Sequence, residues 1–238
     1  MFRRLLIFLA ILAGLAVAAD RGLAAVAGNA TAAQVRLHEG LREDPDVTFR
    51  GFPFVTQAVH GRFRAVDVTA RDVERDGLTV DRIDAHLEGV KIDLGRALKG
   101  RVSAVPIQRG RATVTLTYAD LGAYLARKPG NIRLAVRAGQ VYVTSTYGVT
   151  GLGQVEVEGT PSVRVSGDDV RVTVSNVRAV AAGTRLTAAQ AGAAGARASF
   201  TIPLSKLPFG ITVESARLTG EALVVAASAE GLVVDLRR

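Results

Sequence analysis

From Val47 onward, most of the chain alternates apolar residues with charged or polar ones. The alternation is clearest in the segments 112–118, 132–136, 155–157, 163–165 and 170–174. Because successive side chains of a strand point to opposite faces, this pattern gives each strand one dry face and one wet face. The sequence therefore predicts an antiparallel sheet rather than a parallel sheet buried on both faces. Between residues 66 and 92 the phase slips by one, which indicates β-bulges or strongly bent strands.

Upstream of these strands, the apolar period is three to four residues, which is typical of an amphipathic helix. The residues that carry it are Leu23, Ala27, Ala30, Ala33, Leu37 and Leu41. They predict a helix from about Gly22 to Glu43, ended by the Asp44-Pro45-Asp46 turn. The fold class is therefore α+β, with a long N-terminal helix packed on a strongly curved, mostly antiparallel β-sheet.

The first residues resemble an export segment. Arg3 and Arg4 precede Leu5–Ala19, fifteen uncharged residues that are short for a membrane span but suit a signal-peptide core. Small-residue cleavage patterns occur at 16–18 and 25–27, and an uncleaved anchor is the alternative. We expect residues 1–21 to be a signal peptide or membrane anchor and residues 22–238 to form a single domain. The protein would then be exported to the periplasm or cell envelope.

Sequence motifs of common catalytic, metal and cofactor sites are missing. The chain has no cysteine, and its three histidines, at positions 38, 60 and 86, show no metal-ligand spacing. Neither a phosphate-binding glycine loop nor a nucleophile elbow occurs. We therefore predict no catalytic residue, no metal and no cofactor, and the protein is not expected to be an enzyme.

The net charge of +8 comes mainly from single arginines scattered through the strands. Such scattering is typical of a solvated sheet face, and it lacks the aromatic interleaving of proteins that bind single-stranded nucleic acid. We expect no nucleic-acid partner. An anionic membrane surface is the partner that this charge favours.

Half of the eight phenylalanines lie in one stretch around Pro53, at positions 49, 52, 54 and 63. Two interpretations are open: a hydrophobic plug that seals one end of the sheet, or a rim that contacts acyl chains. Many other inward positions carry only Val or Ala. Small lining groups leave room for an apolar cavity that holds lipid.

Several segments resemble the actinobacterial LmeA-like phospholipid-binding family. The most specific are "GFPFVTQAVHGRFRAVDV", which begins at Gly51, and "IPLSKLPFGITVESARLTGEALVVAASAEGL", which begins at Ile202. The segments "LTVDRIDAHLEGVKI" and "ATVTLTYADLGAYL" add to the resemblance. The resemblance implies a tubular lipid-binding fold of the bactericidal/permeability-increasing type, with an acyl tunnel. It also implies an exported protein that binds phospholipid. Lipid transfer and support of lipoglycan (lipomannan) synthesis are the further roles that the resemblance suggests.

On this hypothesis, five apolar residues line the lipid site and two arginines hold the phosphate. The wall residues are Phe52, Phe54, Phe63, Leu207 and Phe209, and the phosphate ligands are Arg62 and Arg64. The alternatives are an envelope glycan-processing enzyme or accessory factor, and a structural anchor without ligand.

Overall fold

A computed structural model describes residues 2–75, 77–92, 104–127, 131–149, 153–167, 169–204 and 212–235. Its helices are α1 (Phe2–Glu39), α2 (Phe54–His60), α3 (Tyr118–Ala126) and α4 (Ala188–Ala198). Its strands are β1 (Asp46–Arg50), β2 (Arg62–Arg75), β3 (Leu78–Lys91), β4 (Ala104–Thr117), β5 (Arg133–Arg137), β6 (Gln140–Val149), β7 (Gly153–Ser166), β8 (Asp169–Ala179), β9 (Phe200–Ile202), β10 (Thr212–Leu218) and β11 (Ala222–Asp235).

The strands form two antiparallel sheets. One has the order β1-β2-β3-β4-β11-β10 and the other β5-β6-β7-β8-β9, so that most neighbours in space are also neighbours in the chain. Val47 pairs with Val68 in the first sheet and Val163 with Val172 in the second. The α+β class, with an N-terminal helix and antiparallel sheets, is confirmed, whereas the tubular architecture stays a prediction.

At least one phase slip in the sequence, at Gly89, has a backbone cause. Asp72 in β2 has a φ of 49° and Gly89 in β3 a φ of 66°, so each interrupts the extended conformation of its strand. Gly89 lies between Leu87 and Val90, where the alternation changes phase. A residue with positive φ turns the following side chains to the other face, as at a β-bulge.

The chain divides into two compact units. Unit 1 is Met1–Arg71, Asp84–Arg111 and Ala229–Arg238, and unit 2 is Asp72–Ile83 and Ala112–Ser228. The division falls within β2, β3, β4 and β11. That residues 22–238 act as one lipid-binding domain stays a prediction.

Unit 2 is built around an apolar core to which α3 contributes one face. Leu121, Tyr124 and Leu125 are buried, as their helical spacing predicts. The side chain of Thr117 starts α3 by accepting a hydrogen bond from the backbone N–H of Asp120. Helix α4 begins with a capping box formed by Thr187 and Gln190.

Unit 1 is organised by α1, which is longer at its start and shorter at its end than predicted. The helix passes through residues 20 and 21 without a break. It ends before Gly40, whose φ is 65°, and the N–H of Leu41 donates to the carbonyl oxygen of Arg36 at 3.0 Å. This is a Schellman ending. The predicted end at residue 43 was wrong because Gly40 terminates the helix before the Asp44-Pro45 turn.

The face of α1 that packs on β1 consists of small residues. Ala24 and Ala32 are buried, and Gly28 lies between them, one turn from each. A Cβ atom on Gly28 would lie only 2.3 Å from the carbonyl oxygen of Val47, so that helix and strand approach as closely as glycine permits. By length and composition, α1 also contains a stretch able to cross a membrane, Ala10–Leu37, with mean hydropathy 1.7.

One buried carboxylate in unit 2 is held by two cations. Glu158 on β7 is 3% exposed, and its oxygens lie 2.9 Å from Nη2 of Arg178 and 2.5 Å from Nη1 of Arg137. The hydrogen bond from Arg178 and the charge of Arg137 outweigh the desolvation and hold the pKa of Glu158 below its ordinary value. The carboxylate therefore stabilises the fold in its ionised form.

We expect Glu158→Gln to lower the thermal unfolding midpoint near neutral pH. A lowered folded-state pKa contributes stability that is present above the ordinary glutamate pKa, about 4.3, and is lost as the pH falls through the folded-state pKa. The difference between wild type and variant should therefore shrink in acid. Circular dichroism melts between neutral pH and about pH 3 measure it. Glu156→Gln, at an exposed carboxylate on the same strand, is the control, and a difference independent of pH would contradict the assignment.

Candidate functional site

The phenylalanine-rich stretch forms a tight turn between β1 and α2 that only glycine can begin. Gly51 has a φ of 96°, a conformation that L-residues rarely adopt. A Cβ atom there would lie 3.0 Å from Nε2 of Gln57. The strand thus ends at Arg50, and Phe52 and Pro53 lead directly into the helix at Phe54.

The first turn of α2 is capped by a side chain from another helix. Pro53 precedes α2 and offers no side-chain cap. The carboxylate of Asp20 on α1 instead accepts one hydrogen bond from the N–H of Phe54 and one from the N–H of Val55, each 2.9 Å long. Asp20 is 5% exposed. A negative charge at a helix N-terminus is also favoured by the helix dipole, so this contact fixes α2 against α1.

Gln57 ties the two ends of the turn together. Its Nε2 donates to the carbonyl oxygen of Arg50 at 3.3 Å, and its Oε1 accepts from the N–H of Arg64 at 2.8 Å. The side chain is 8% exposed, so that these bonds replace the water it has lost. The start of β2 is thereby held beside the end of β1.

Beneath the turn, three phenyl rings pack on one another. Phe49 lies 5.5 Å from Phe54 and 4.8 Å from Phe63 between ring centroids, and Phe54 lies 6.0 Å from Phe63. All three are buried in the apolar core of unit 1. Tilted rings at these distances attract one another beyond their burial of apolar area. This cluster corresponds to the plug interpretation, with protein filling the space around Phe54 and Phe63.

Phe52 differs from the other three phenylalanines because it is 45% exposed. Its ring lies 5.7 Å from the guanidinium carbon of Arg21, within the range of a cation–π contact. Arg62 and Arg64, at the start of β2, are exposed as well. A Cβ atom on Gly51 would lie 3.4 Å from Cδ of Arg64, so Arg64 lies at the same turn as Phe52. A guanidinium group is suited to binding phosphate by charge-assisted hydrogen bonds.

The predicted site residues therefore fall into three groups. Phe52, Arg62 and Arg64 lie at the surface of one end of unit 1, and Phe54 and Phe63 lie in the core beneath them. The remaining wall residues, Leu207 and Phe209, are outside the described residues. The lipid site as a whole stays a prediction.

A charged ladder on the wet face of unit 1 was missed by the sequence analysis. His86 Nδ1 lies 2.5 Å from one oxygen of Asp67, and Nε of Arg50 lies 2.5 Å from the other. Partial burial raises the pKa of Asp67, but the hydrogen bonds from His86 and Arg50 outweigh it and hold that pKa below its ordinary value. Glu88, 2.9 Å from Arg109, extends the ladder. Folding β2 and β3 about the turn signal at 75–77 would have placed positions 67 and 86 opposite each other.

Beside this ladder lies an open polar cavity of about 270 Å³. Its lining residues are Asp46, Thr48, Arg50, Asp67, Val68, Thr69, Asp84 and Ala85. Within the described ranges, no group of three or more His, Asp or Glu residues is arranged to hold a metal ion. Most of its lining side chains are charged or carry a hydroxyl group, and a hydrogen bond accounts for the Asp67–His86 contact.

The comparisons with known proteins agree with the resemblance. A family model described as LmeA-like phospholipid-binding matches residues 18–228, which begin just before Asp20 and end in the middle of β11. No curated protein and no solved structure matched the chain.

Replacing Asp20 by Ala should loosen α2 specifically. The backbone N–H groups of Phe54 and Val55 would lose their only side-chain acceptor, so their amide hydrogen exchange should become faster. Hydrogen–deuterium exchange of the peptide that spans α2 measures this. Asp46→Ala, an exposed carboxylate on β1, is the control, and unchanged exchange in Asp20→Ala would disprove the cap.

The alanine variants of Phe54 and Phe52 should differ strongly in how much they lower the free energy of unfolding. Phe54→Ala removes a ring from the buried cluster and should lower the free energy of unfolding by about 3–5 kcal/mol. Phe52→Ala removes an exposed ring and should cost at most about 1 kcal/mol. Urea unfolding followed by circular dichroism compares the two variants. Equal costs would contradict the separation of the buried rings from the exposed one.

Proposed function

The chain belongs to the LmeA-like phospholipid-binding family, and from this premise we propose that it is a cell-envelope protein that binds phospholipid. The family match over residues 18–228 is the observation that carries the proposal. In this proposal the acyl chains enter an apolar tunnel at the Phe52 end of unit 1. Binding rather than catalysis is the activity that the family description favours.

The exposed end of unit 1 supports this choice of entrance. Phe52 offers an apolar surface, and Arg62 and Arg64 offer guanidinium groups that suit a phosphodiester. Each buried CH₂ of an acyl chain contributes about 0.8 kcal/mol, so a two-chain lipid has ample driving force once the tunnel admits it. The buried rings of Phe54 and Phe63 would form the inner wall of the entrance. Leu207 and Phe209 would complete the tunnel lining.

The N-terminal helix supports a location at the cytoplasmic membrane or outside it. Its apolar stretch is compatible with a signal peptide or an anchor. Asp20 and Ala24 are buried against the rest of unit 1. We therefore propose that export leaves residue 20 and all later residues in place, either through cleavage after the 16–18 pattern or through an uncleaved anchor. Cleavage after the 25–27 pattern would remove both buried side chains.

In this proposal, the bound phospholipid serves lipid transfer or supports lipomannan synthesis. A protein that shields acyl chains lowers the cost of moving a lipid through water, because it replaces apolar hydration with an apolar lining. The glycan-processing alternative requires a carboxylate essential for turnover. Asp67 and Glu88 are described carboxylates that lie beside His86, and their ion pairs with Arg50 and Arg109 explain their positions without catalysis.

Photocrosslinking of the full chain tests the proposed lipid site. The protein is purified from its own host, and its phospholipid content is measured after extraction. It is then incubated with a phospholipid that carries a diazirine at the end of one acyl chain. We expect about one bound phospholipid per chain and crosslinks in the segments that contain Phe52, Phe54 and Phe209. An excess of unlabelled phospholipid should abolish these crosslinks.

The double variant Arg62→Ser, Arg64→Ser tests the phosphate ligands. Because the charge-assisted hydrogen bonds are lost, the concentration of unlabelled phospholipid that halves the crosslinking should rise roughly tenfold. Arg71→Ser removes an exposed arginine elsewhere on β2 and should leave competition unchanged. A protein that is free of phospholipid and gives no competed crosslink would disprove the proposed function.

A further inference from the structure

Two sets of exposed apolar side chains of unit 1 approach each other at Asp20. One set belongs to the first half of α1 and consists of Ile11, Leu12, Leu15 and Val17, all more than 40% exposed. The other belongs to the turn and α2: Phe52 is 45% exposed, Val55 43% and Val59 69%. Scattered exposed apolar residues need no explanation, but two sets that meet at one place indicate an interaction surface.

The direction of the chain places the second set at the edge of the folded part of unit 1. Val47 lies against Gly28 of α1, and Phe54 is bonded to Asp20, so the chain runs from Val47 to Phe54 toward the N-terminus of the helix. Among these contacts, the one at Asp20 is nearest to the apolar segment. A helix buried in lipid as far as Ala19 therefore brings Phe52 and α2 to the lipid surface.

Helix α2 itself has the two faces of an interfacial helix. Phe54 and Gln57 point inward and are buried, whereas Val55 and Val59, one turn apart, point outward. An amphipathic helix with an exposed apolar face lies in the plane of a bilayer surface, with that face at the boundary between headgroups and acyl chains.

The charge around this face is positive. Residues 51–64 include Arg62 and Arg64 and no acidic residue, whereas the charge of Arg50 is paired with Asp67. Arg21 lies against Phe52, and Lys91 reaches the same end of the sheet because the N–H of Ile92 bonds to the carbonyl oxygen of Gly61. The nearby carboxylate of Asp20 is occupied by backbone N–H groups. Apolar groups flanked by cations match a bilayer that contains anionic phospholipid.

We propose that Phe52, Val55 and Val59 form a docking face that lies on the bilayer surface beside the membrane-inserted first half of α1. The inference deepens the proposed function and rests on it, because the docked bilayer is the source from which phospholipid enters at Phe52. Continuity with the apolar segment of α1 favours a bilayer over a protein partner. Asp20 on α1 binds the N-terminus of α2, so α1 fixes the position of the docking face relative to its own apolar first half.

The absence of tryptophan from the chain permits a direct test. Phe52→Trp and Val59→Trp each introduce a single fluorophore at the proposed face. Leu37→Trp is the control, since Leu37 is 72% exposed on α1 and lies about 25 Å along the helix from Asp20. The full chain is reconstituted into phosphatidylglycerol–phosphatidylcholine vesicles whose lipids carry bromine atoms at a shallow acyl position. Strong quenching is expected at positions 52 and 59 and little at 37.

Every other outcome overturns a defined part of the proposal. Absence of quenching at both 52 and 59, or equal quenching at all three positions, overturns the docking face. Blue-shifted emission without quenching means that protein, such as a second copy of the chain, covers the face. Unchanged quenching at Val59→Trp in purely zwitterionic vesicles overturns the role of the cations.

A second measurement separates docking from lipid binding. The phospholipid that stays bound to each purified protein in detergent is counted before reconstitution. Bound lipid without quenching overturns docking alone, and quenching without bound lipid overturns the proposed function alone.

Discussion

The two hydrogen bonds from the N–H groups of α2 to Asp20 determine how unit 1 is assembled. An isolated helix of seven residues has too few internal bonds to be stable in water. Helix α2 persists because α1 supplies its N-terminal acceptor, Gln57 ties it to both flanking strands, and Phe54 anchors it in the ring cluster. A residue that looks in the sequence like the charged end of an export segment is therefore part of the folded unit.

This constraint also shows which part of α1 the folded unit requires. Residues 20–32 of α1 contribute a cap, two buried alanines and the glycine that touches the backbone of β1. Removing them would expose the rings of Phe49 and Phe54 and leave N–H groups of α2 without their acceptor. The family match begins at residue 18, two residues before Asp20, where the described contacts of α1 with the rest of unit 1 begin. Residues before that point make no such contribution among the described side chains.

Periodicity predicted much of the secondary structure, but it missed α2 and misplaced both ends of α1, where single contacts decide. The period-two segments became strands, and the helical spacing of Leu121, Tyr124 and Leu125 placed them on the buried face of α3. The sequence did not show that α1 continues through Asp20, because the partner of that carboxylate lies 34 residues away. Nor did it distinguish the exposed Phe52 from the buried Phe54, since both flank Pro53 in an equally apolar context. Such contacts depend on long-range geometry, which a local pattern does not encode.

Two glycines, Gly28 and Gly195, have a packing role that the sequence analysis did not predict. Small side chains can leave a cavity for a guest, or they can let two backbones approach. At Gly28 the added Cβ would meet a carbonyl oxygen of β1, and at Gly195 it would lie 2.6 Å from the carbonyl oxygen of Val174. At both positions the missing side chain is used for close packing of a helix on a strand, and no room is left there. The proposed lipid tunnel must therefore lie away from these two helix–strand contacts.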